Sequence, residues 1–539
     1  MQRYLFIIKL YRNINHTQFI FAKYKNLKMT QKFKLTKNTI ALIAICLATL
    51  MFSLEISSVP VILPTLEKVL NANLRDMQWI MNIYTIGCTA VLMAAGTLAD
   101  RYGRKRILII TLILFGISSL ICGLAQNVTV LIISRFFQGV SGGAMLICQV
   151  ATLSYQFQEG KERSRAFSIW GIILGVGLGF GPIIGGSITA LLSWEWVFLI
   201  HVPIAIIAAI LVYSNVNESK DPQAKKLDIW GMLTLSISIF GLTYFITQGP
   251  DLGFSSPIAL ASILIALISL ILFIKVEKIN PHPMFDFSVF KIRNFSGAIF
   301  GSIGMNFSFW PFIIYLPIYF QSCLGYDVVT VGLSLLAYTL PTLIIPPLAE
   351  YLSVRYRSGV VIPLGLFILG LGFIVMRYGT VAENPSWLTM LPGSLLSGIG
   401  LGLTNTPVTN TTTSSVSSNR AGMASGIDMS ARMISLSINI ALMGFILVEG
   451  IFSHLSTAFS ESLNRETLRS LAEKIAAGNF SSLNQDFPEL TSLDASGRIV
   501  HEALAHGFDL ILLYGGFGVW ILALISFYFF NSSKKTLRN

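Results

Sequence analysis

Residues 78–125 read QWIMNIYTIGCTAVLMAAGTLADRYGRKRILIITLILFGISSLICGLA, and this stretch indicates the class of fold. Two apolar runs, 78–99 and 106–125, flank a short linker rich in arginine and lysine. Each run can cross about 30 Å of hydrocarbon, which takes ~20 helical residues. Because no water inside a bilayer can bond to an open backbone, both runs must be helical. The stretch therefore predicts two membrane-spanning helices joined by a positively charged loop.

The composition of the whole chain agrees with this class. Of the 539 residues, 53% are hydrophobic and 12% are charged, whereas soluble domains carry about 25% charged residues. The net charge of +12 does not predict nucleic-acid binding, because nine basic residues and no acid precede the first span. Basic residues placed at span ends orient a protein in a membrane. We therefore expect lipid contact and no nucleic-acid partner.

Long apolar runs recur along the chain with short polar breaks, which predicts an all-α, polytopic protein with fourteen spans. The predicted spans are residues 39–66, 78–99, 106–125, 128–152, 166–192, 196–213, 229–248, 256–276, 295–321, 330–352, 359–379, 388–410, 421–449 and 508–530. Basic residues are concentrated in the loops after even-numbered spans, and such loops stay in the cytoplasm. We therefore expect a multi-pass cell-membrane protein, with a bacterial inner membrane favoured and both termini cytoplasmic.

The predicted organisation is two six-helix halves with two extra central helices. The segments are a basic cytoplasmic tail at 1–38, a first half at 39–213, an inserted pair with flanking cytoplasmic loops at 214–294, a second half at 295–530 and a cytoplasmic tail at 531–539. Translation is expected to start at Met29, which would make residues 1–28 an annotation artefact. The alternative is a disordered basic tail.

Three local patterns bear on this organisation. The string GTLAD at 96–100, after the second span, is echoed by PLAE at 347–350 after the tenth, and such repeats are typical of transporters. The polar segment 450–507 is expected outside the membrane, covering the outer mouth, and its string ETLRSLAEKIAAG predicts a helix that ends at Gly478. Three acids are interpreted as structural: Asp228 and Asp509 as helix caps, and Glu449 near the outer surface.

The linker at 96–106, GTLADRYGRKR, carries the most specific pattern. Gly96 and Gly103 would allow a tight turn, and Asp100 can pair with a nearby arginine such as Arg101 or Arg104, or cap the next helix. A plain membrane-orienting anchor would explain the basic residues but not the acid and the two glycines. The string resembles the signature between helices 2 and 3 of the major facilitator superfamily. The resemblance implies the fold of that superfamily and a gate that breaks as two halves rock.

Span 4 contains RFFQGVSGGA at 135–144. An arginine inside a span costs roughly 2.5–3.5 kcal/mol on insertion scales, so Arg135 is interpreted as functional. The alternative is that Arg135 lies near one end of the span and extends its side chain to the interface. The string resembles the span-4 motif of the superfamily, in which the arginine is associated with proton transfer.

Span 5 reads GVGLGFGPIIGG at 175–186. Glycines let membrane helices approach closely, and a proline kinks a helix. Generic packing explains small residues but explains less well a Gly-Pro pair followed by a Gly-Gly pair. The pattern resembles the antiporter motif of the superfamily, which is associated with exporters. The candidate motif residues are Gly177, Gly181, Pro182, Gly185 and Gly186.

The resemblance narrows to the fourteen-span drug:proton antiporters of the EmrB/QacA type, over about residues 45–445. The stretch WEWVFLIHVP at 194–203 follows that pattern into span 6, except that Glu195 replaces a usual Arg and His201 a usual Asn. The stretch RAGMASG at 420–426, followed by Arg432, matches the span-13 pattern.

Two acids inside predicted spans are candidates for proton coupling. Glu55 lies in span 1, where the family more often has Asp, and removal from water disfavours the charged form of a carboxyl group. Asp428 lies four residues before Arg432 in span 13, on the same helical face; the family commonly has Asn there. The pair is either a static neutralised ion pair or a site for a proton or a cationic substrate. The proton-coupling candidates are Glu55, Asp428, Arg135 and Arg432.

These patterns predict a secondary active transporter that exports amphipathic or drug-like molecules in exchange for protons. No ATP-binding loop of the GxxxxGK[ST] type occurs in the sequence, so the energy must come from an ion gradient or from the substrate's own gradient. We expect no cofactor, no metal site and no enzymatic activity, since the sequence has no CxxC, no HExxH and no polar cluster typical of a membrane enzyme. The alternatives are an exporter of one endogenous compound, such as a siderophore or fatty acid, a multispan enzyme, and a non-transporting receptor. A periplasmic adaptor protein as partner would leave no mark in the sequence.

Overall fold

The computed structural model describes residues 36–532, apart from 158–159, 221–227, 282, 284, 286, 383, 417–420, 460–461, 479 and 481–482. Every regular element in this part of the chain is helical. The predicted tails, 1–38 with Met29 and 531–539, lie outside the described residues except for 36–38 and 531–532.

The described part contains twenty α-helices. In chain order they are α1 (Lys37–Leu70), α2 (Leu74–Tyr102), α3 (Arg104–Gly123), α4 (Val128–Gln156), α5 (Gly160–Leu191), α6 (Glu195–Leu199), α7 (His201–Asn215), α8 (Ile229–Leu252), α9 (Pro257–Ile279), α10 (Arg293–Ile318), α11 (Val328–Thr339), α12 (Pro341–Ile344), α13 (Pro346–Tyr356), α14 (Ser358–Thr380), α15 (Trp387–Ser414), α16 (Ala421–Ala458), α17 (Arg465–Ala477), α18 (Leu483–Asp486), α19 (Leu490–Leu493) and α20 (Arg498–Ser532). A 3₁₀ turn (Phe287–Lys291) precedes α10, and a π-helical turn (Tyr319–Cys323) follows it.

Within the described residues, twelve stretches of helix are long and apolar enough to cross a membrane, or thirteen if one bent pair is counted as a single span. That pair is α11 and α12 followed by α13, and it bends by 44°. Pro341 and Pro346 begin the second and third pieces. Proline lacks the N–H that a continuing helix needs, so the chain changes direction at these residues.

Local signals place the helix ends. Thr36 caps α1 by accepting a hydrogen bond from the amide of Thr39 at 3.2 Å, and α1 ends at Asn71 in the left-handed region. Asp228 caps α8, as predicted, by accepting from the amide of Gly231 at 2.8 Å. The same prediction was wrong for Asp509, because α20 begins at Arg498 and Asp509 lies inside it.

The helices pack as two groups. Helices α1 to α7 contact one another, and so do α10 to α16 together with α20. The two groups meet where α5 packs on α11, α2 on α16 and α1 on α10. The pair α8–α9 lies beside the seam between α2 and α16, where the rings of Trp79 and Phe240 are 5.4 Å apart.

A short helix covers one end of this bundle. Helix α17 ends at Gly478, with φ +88°, so the predicted helix and its stop are confirmed. It buries Leu468, Leu471 and Ile475 and contacts α16 and α2. We call this end of the bundle the cap face. The opposite end, reached by the C-terminus of α2 at Gly103, is the linker face.

Candidate functional site

Glu55 lies near the middle of α1 and is fully buried. One of its carboxylate oxygens, Oε1, accepts a hydrogen bond from Nη1 of Arg135 on α4. The other, Oε2, lies 2.9 Å from Nε2 of His201, the first residue of α7. The carboxylate therefore bridges a permanent cation and a histidine, both fully buried. We call these three residues the Glu55 site.

Arg135 is held from several sides. Its Nε donates to the carbonyl of Ile80 at 3.1 Å, and Nη1 also donates to Oε1 of Gln138 at 2.7 Å. Its guanidinium lies 4.3 Å from the ring centre of Tyr84. A buried charge costs several kcal/mol unless it is paired and hydrogen-bonded, and these contacts supply the pairing. The alternative that Arg135 extends to the interface was wrong, because its side chain has no exposed surface.

A polar shell surrounds the Glu55 site. Gln138, on the next turn of α4, donates to Oγ of Ser119 at 2.9 Å. Nη2 of Arg135 and Nδ1 of His201 have no hydrogen-bond partner among the residues that the structure describes. Gln138 was missed by the sequence analysis, although its spacing of three from Arg135 places both on one helical face. No spacing rule could place His201 here, because it lies on another helix far along the chain.

Asp428 and Arg432 form a second buried cluster, in the other helix group. Nη2 of Arg432 lies 3.1 Å from Oδ2 of Asp428, so the ion pair predicted from the spacing is present. Oδ1 of Asp428 accepts from the hydroxyl of Ser302 on α10. Nη2 of Arg432 also donates to Thr409 at 3.0 Å, and Nη1 donates to Asn405. Each charge thus has one opposite charge and further hydrogen bonds to neutral groups.

The two acid clusters do not meet. The described partners of Glu55 lie on α4 and α7, and those of Asp428 lie on α10, α15 and α16. Each acid therefore sits inside its own helix group, and a proton held on one has no direct contact with the other.

The span-5 glycines pack against the helix that carries Glu55. A Cβ added at Gly177 would lie 1.9 Å from Oγ of Ser53, and one at Gly181 would lie 1.8 Å from Oγ of Ser57. The hydroxyl of Ser57 donates to the carbonyl of Gly177 at 2.8 Å. Helices α1 and α5 approach each other so closely here that a side chain on α5 at these positions would not fit. Gly185 packs in the same way, with its added Cβ 2.7 Å from Cβ of Ser58.

The other side of α5 meets the second helix group. A Cβ added at Gly186 would lie 2.7 Å from the carbonyl oxygen of Val328, and one at Gly332 would lie 2.8 Å from that of Pro182. Thr339 on α11 donates to the carbonyl of Gly179 at 2.6 Å. Helix α5 thus links the Glu55 helix to the opposite group through contacts that leave no space for larger residues.

At the linker face, only one of the two predicted turn glycines forms a turn. Gly103 has φ +112° and separates α2 from α3. Gly96 lies inside α2, where an added Cβ would meet Ile147 at an ordinary 3.6 Å. The prediction that Gly96 shapes a turn was therefore wrong. The side chain of Asp100 lies outside the described residues.

A carboxylate that the sequence analysis missed caps α3. Glu218 accepts hydrogen bonds from the amides of Lys105 at 3.1 Å and Arg106 at 3.2 Å. The amide of Arg104 donates to the carbonyl of Ser219 at 3.0 Å. Negative charge at a helix N-terminus is stabilising. Arg101 is exposed, with its guanidinium 5.6 Å from the Tyr102 ring. The linker is thus fixed by the segment that follows α7.

Within the described ranges, no group of three His, Cys, Asp or Glu side chains is placed to hold a metal ion. The carboxylates of Glu55 and Asp428 are instead paired with the guanidinium groups of Arg135 and Arg432. Such residues inside a membrane mark ion or substrate pathways. The arrangement therefore suits a membrane transporter.

Comparison with known proteins defines the class. The chain matches the Major Facilitator Superfamily over residues 45–439, which is most of its length. The protein therefore belongs to the major facilitator superfamily, whose members are membrane transporters of small molecules and not a class of enzymes.

Named relatives are similar over most of the chain. Multidrug resistance protein Stp of Mycobacterium tuberculosis (strain CDC 1551 / Oshkosh) is 30% identical over 433 residues, 80% of each chain. Quinolone resistance protein NorB of Staphylococcus aureus (strain MRSA252) is 29% identical over 410 residues, 76% of this chain and 88% of NorB. The uncharacterized transporter YebQ of Escherichia coli (strain K12) is 29% identical over 407 residues, 76% of this chain and 88% of YebQ.

Solved structures share the fold at low sequence identity. A bacterial homologue of the human lysosomal transporter Spinster, in an inward-facing and unoccupied conformation, superposes with a TM-score of 0.59. It is 16% identical and covers 93% of this chain and 98% of its own. The human organic anion transporter MFSD10 gives a TM-score of 0.56 at 12% identity, covering 92% of this chain and 99% of its own. These likenesses show the fold alone.

Proposed function

We propose that this transporter exports amphipathic, drug-like molecules in exchange for protons. The observation that carries the proposal is the Glu55 site, where a buried carboxylate is the counter-ion of Arg135. A proton that binds Glu55 removes the negative charge that compensates Arg135. Because an uncompensated buried charge is costly, proton binding changes the relative stability of conformations. Each proton that moves down 100 mV supplies about 2.3 kcal/mol for this change.

The span-5 contacts support a way in which a conformational change at the Glu55 site could reach the second helix group. Helix α5 packs closely on the Glu55 helix through Gly177 and Gly181, and on α11 of the other helix group through Gly186. A rearrangement around Glu55 would therefore displace the surface on which the two groups meet. We propose that these glycines, with Pro182 and Gly185, couple proton binding to the rocking of two halves.

The names of the relatives support the substrate class. Stp is named for multidrug resistance and NorB for quinolone resistance, and drugs of that kind combine apolar and polar parts. We propose that the substrates of this protein belong to the same broad class. If the protein instead exports a single endogenous compound, transport assays with a broad panel of compounds should show export of one of them.

The proposed topology is fourteen spans. Helix α2 has 29 residues, and it lies within the bundle against α4 and α16. Adding α2 to the thirteen spans that count the bent pair once gives fourteen. We propose that the linker face, which carries basic loops, lies in the cytoplasm and the cap face outside, with both termini cytoplasmic in a bacterial inner membrane. The two halves are then 39–213 and 295–530, separated by the inserted pair within 214–294.

Two further parts are proposed for the mechanism. Asp428 and Arg432 form a second proton-sensitive site, which responds independently because it shares no partner with Glu55. The linker residues Asp100, Arg101, Gly103 and Arg104 gate the cytoplasmic side, next to Glu218, which accepts hydrogen bonds from the amides of Lys105 and Arg106. A periplasmic adaptor protein remains a proposed partner of the cap face.

The experiment is efflux of a fluorescent lipophilic cation from bacteria that lack their own multidrug transporters. Cells that express the protein should extrude the dye, and a protonophore should stop extrusion. Glu55→Gln should reduce efflux to the background rate, and Asp428→Asn tests the second site. Glu502→Gln is the matched control, because this acid is half exposed at the cap face. Dye efflux that continues in protonophore-treated cells would contradict proton coupling.

A further inference from the structure

We infer that His201 is a second proton-binding residue of the Glu55 site, which holds a proton while Glu55 keeps its ion pair with Arg135. The inference rests on the proposed proton-coupled function and specifies how that function works in this chain. It assigns the proton to a particular nitrogen, Nε2 of His201.

The position of His201 follows from a break in the chain. Helix α6 ends at Leu199, and His201 is the first residue of α7 after Ile200. The imidazole is fully buried, and its Nε2 lies 2.9 Å from Oε2 of Glu55. The ring of Phe115 on α3 stands edge-on to it, with ring centres 5.6 Å apart. The histidine is therefore fixed beside the carboxylate and shielded from solvent.

The two oxygens of Glu55 have different partners. Oε1 is bound by Arg135, while Oε2 faces a group that can itself accept a proton. A proton on Oε2 can pass to the lone pair of Nε2, breaking the O–H bond and forming an N–H bond. The products are a carboxylate and an imidazolium, so Arg135 keeps its counter-ion. Return of the proton to Oε2 reverses the step.

None of the described residues fixes which ring nitrogen of His201 carries the hydrogen. Nδ1 has no hydrogen-bond partner among the described residues. The contact between Nε2 and Oε2 has the distance of an ion pair without the alignment of a hydrogen bond. In most histidines the tautomer is set by the partner of the second nitrogen. Here the imidazole can present a lone pair or an N–H to Glu55.

The other groups near the pair are poorly suited to exchange protons near neutral pH. Among the described residues, the titratable or charged groups around the pair are Tyr84 and Cys88 on α2, Cys122 on α3 and Arg135 on α4. Tyrosine ordinarily titrates near pH 10, a thiol near pH 8.5, and arginine remains charged. Glu55 and His201 are therefore the pair between which a proton moves.

The test is proton release on ligand binding. The full-length protein in weakly buffered detergent receives tetraphenylphosphonium, a lipophilic cation, across a range of pH, and a pH indicator measures the protons released. His201→Asn and His201→Gln keep an amide donor beside Glu55 but cannot accept a proton. His501→Asn is the matched control, since His501 is exposed at the cap face with its Nδ1 2.7 Å from the carbonyl of Gly497. Ligand affinity measured in parallel shows that each variant is folded.

We expect the wild type and His501→Asn to show the same release profile. Both His201 variants should show one ionisation fewer than the wild type and a smaller maximal release, since one of the coupled sites is gone. A His201 variant with the wild-type profile, in a protein whose wild type releases protons, would overturn the inference and leave proton coupling intact. A wild type that binds the cation and releases no proton would instead overturn the proposed function.

Discussion

Single glycines determine how closely α5 approaches the helix of Glu55. At Gly181 an added Cβ would lie 1.8 Å from Oγ and 2.7 Å from Cβ of Ser57. Both atoms belong to a side chain close to its own backbone, so they have little room to move. Ser57 also donates to the carbonyl of Gly177 at 2.8 Å, which fixes its hydroxyl toward α5. Any residue larger than glycine must therefore push the two helices apart.

Gly181→Ala should lower the stability of the protein by about 1–3 kcal/mol, the usual cost of overpacking a close contact. It should also reduce transport, because the displaced helix carries Glu55. Gly171→Ala is the control on the same helix, since an added Cβ there has no atom within 4 Å. The measurement is the apparent melting temperature in detergent together with dye efflux. Equal melting temperatures for the two variants would contradict the assigned contact.

At this scale the sequence revealed charges but not their partners. Arg135, Glu55 and Asp428 stand out because an ionisable residue inside an apolar run is costly. The pair of Asp428 and Arg432 follows from helical spacing. The contact of Glu55 with His201 depends on how two separate helices, α1 and α7, pack against one another. No periodicity within one helix contains that information.

Among the links between helices, the α2–α3 and α13–α14 connections resemble each other. Gly103 joins α2 to α3 with φ +112° and ψ +126°. Arg357 joins α13 to α14 with φ +73° and ψ +142°. Positive φ is free of strain for glycine but costs roughly 1–2 kcal/mol for a residue with a Cβ. The second link is therefore strained where the first is not.

Arg357→Gly should raise the apparent melting temperature, because glycine removes about 1 kcal/mol of backbone strain even after its greater unfolded-state entropy is counted. Arg355→Gly is the control two residues away, inside α13, where glycine should lower stability by roughly 0.5–1 kcal/mol. Both residues are exposed, so side-chain burial does not differ between them. A fall in melting temperature for Arg357→Gly would show that the arginine side chain stabilises the link.

Helix positions were largely predictable, because apolar runs of membrane length have few other structures. The boundaries of the helices were less predictable. The prediction began the last span at residue 508, but α20 begins at Arg498 because the polar residues before 508 continue the same helix. The prediction treated 330–352 as one span, whereas two prolines divide it into three helices. Glu218 was missed because it lies far along the chain from the helix that it caps.

In the molecule as a whole, several described polar contacts toward the cap face join α1 and α2 to the second helix group or to α17. Gln78 on α2 donates to Tyr315 on α10 at 3.2 Å. Gln321 donates to the carbonyl of Val61 at 3.4 Å. Arg75, in the first turn of α2, pairs with Glu473 on α17 at 2.7 Å. Opening the cap face requires these contacts to separate, so they stabilise the closed arrangement.

Helix α17 should act as a latch, meaning that it keeps the cap face closed. The ion pair of Arg469 with Glu449 holds it on α16, and that of Glu473 with Arg75 holds it on α2. Arg75→Glu should place two like charges together and lift α17. Labelling of the native Cys323 by a membrane-impermeant maleimide measures this, because Cys323 is half-buried next to Ser322, which donates to Gly478 at the end of α17.

Adding Glu473→Arg to Arg75→Glu should restore the slow labelling of Cys323, since the pair is then present with its charges exchanged. Arg498→Glu is the control, because it reverses the charge of an exposed residue at the same face. Rapid labelling that persists in the double variant would contradict a latch formed by this ion pair.

The most direct test of the account is substrate-driven proton movement in proteoliposomes that contain the purified protein and a trapped pH indicator. An outward gradient of a lipophilic cation, with no other energy source, should drive protons inward in the wild type. Glu55→Gln should abolish that proton movement while keeping cation binding, because the buried counter-ion of Arg135 can no longer exchange a proton. If the cation gradient moves no protons in the wild type, or moves them equally in Glu55→Gln, the assignment of Glu55 as the coupling acid is contradicted.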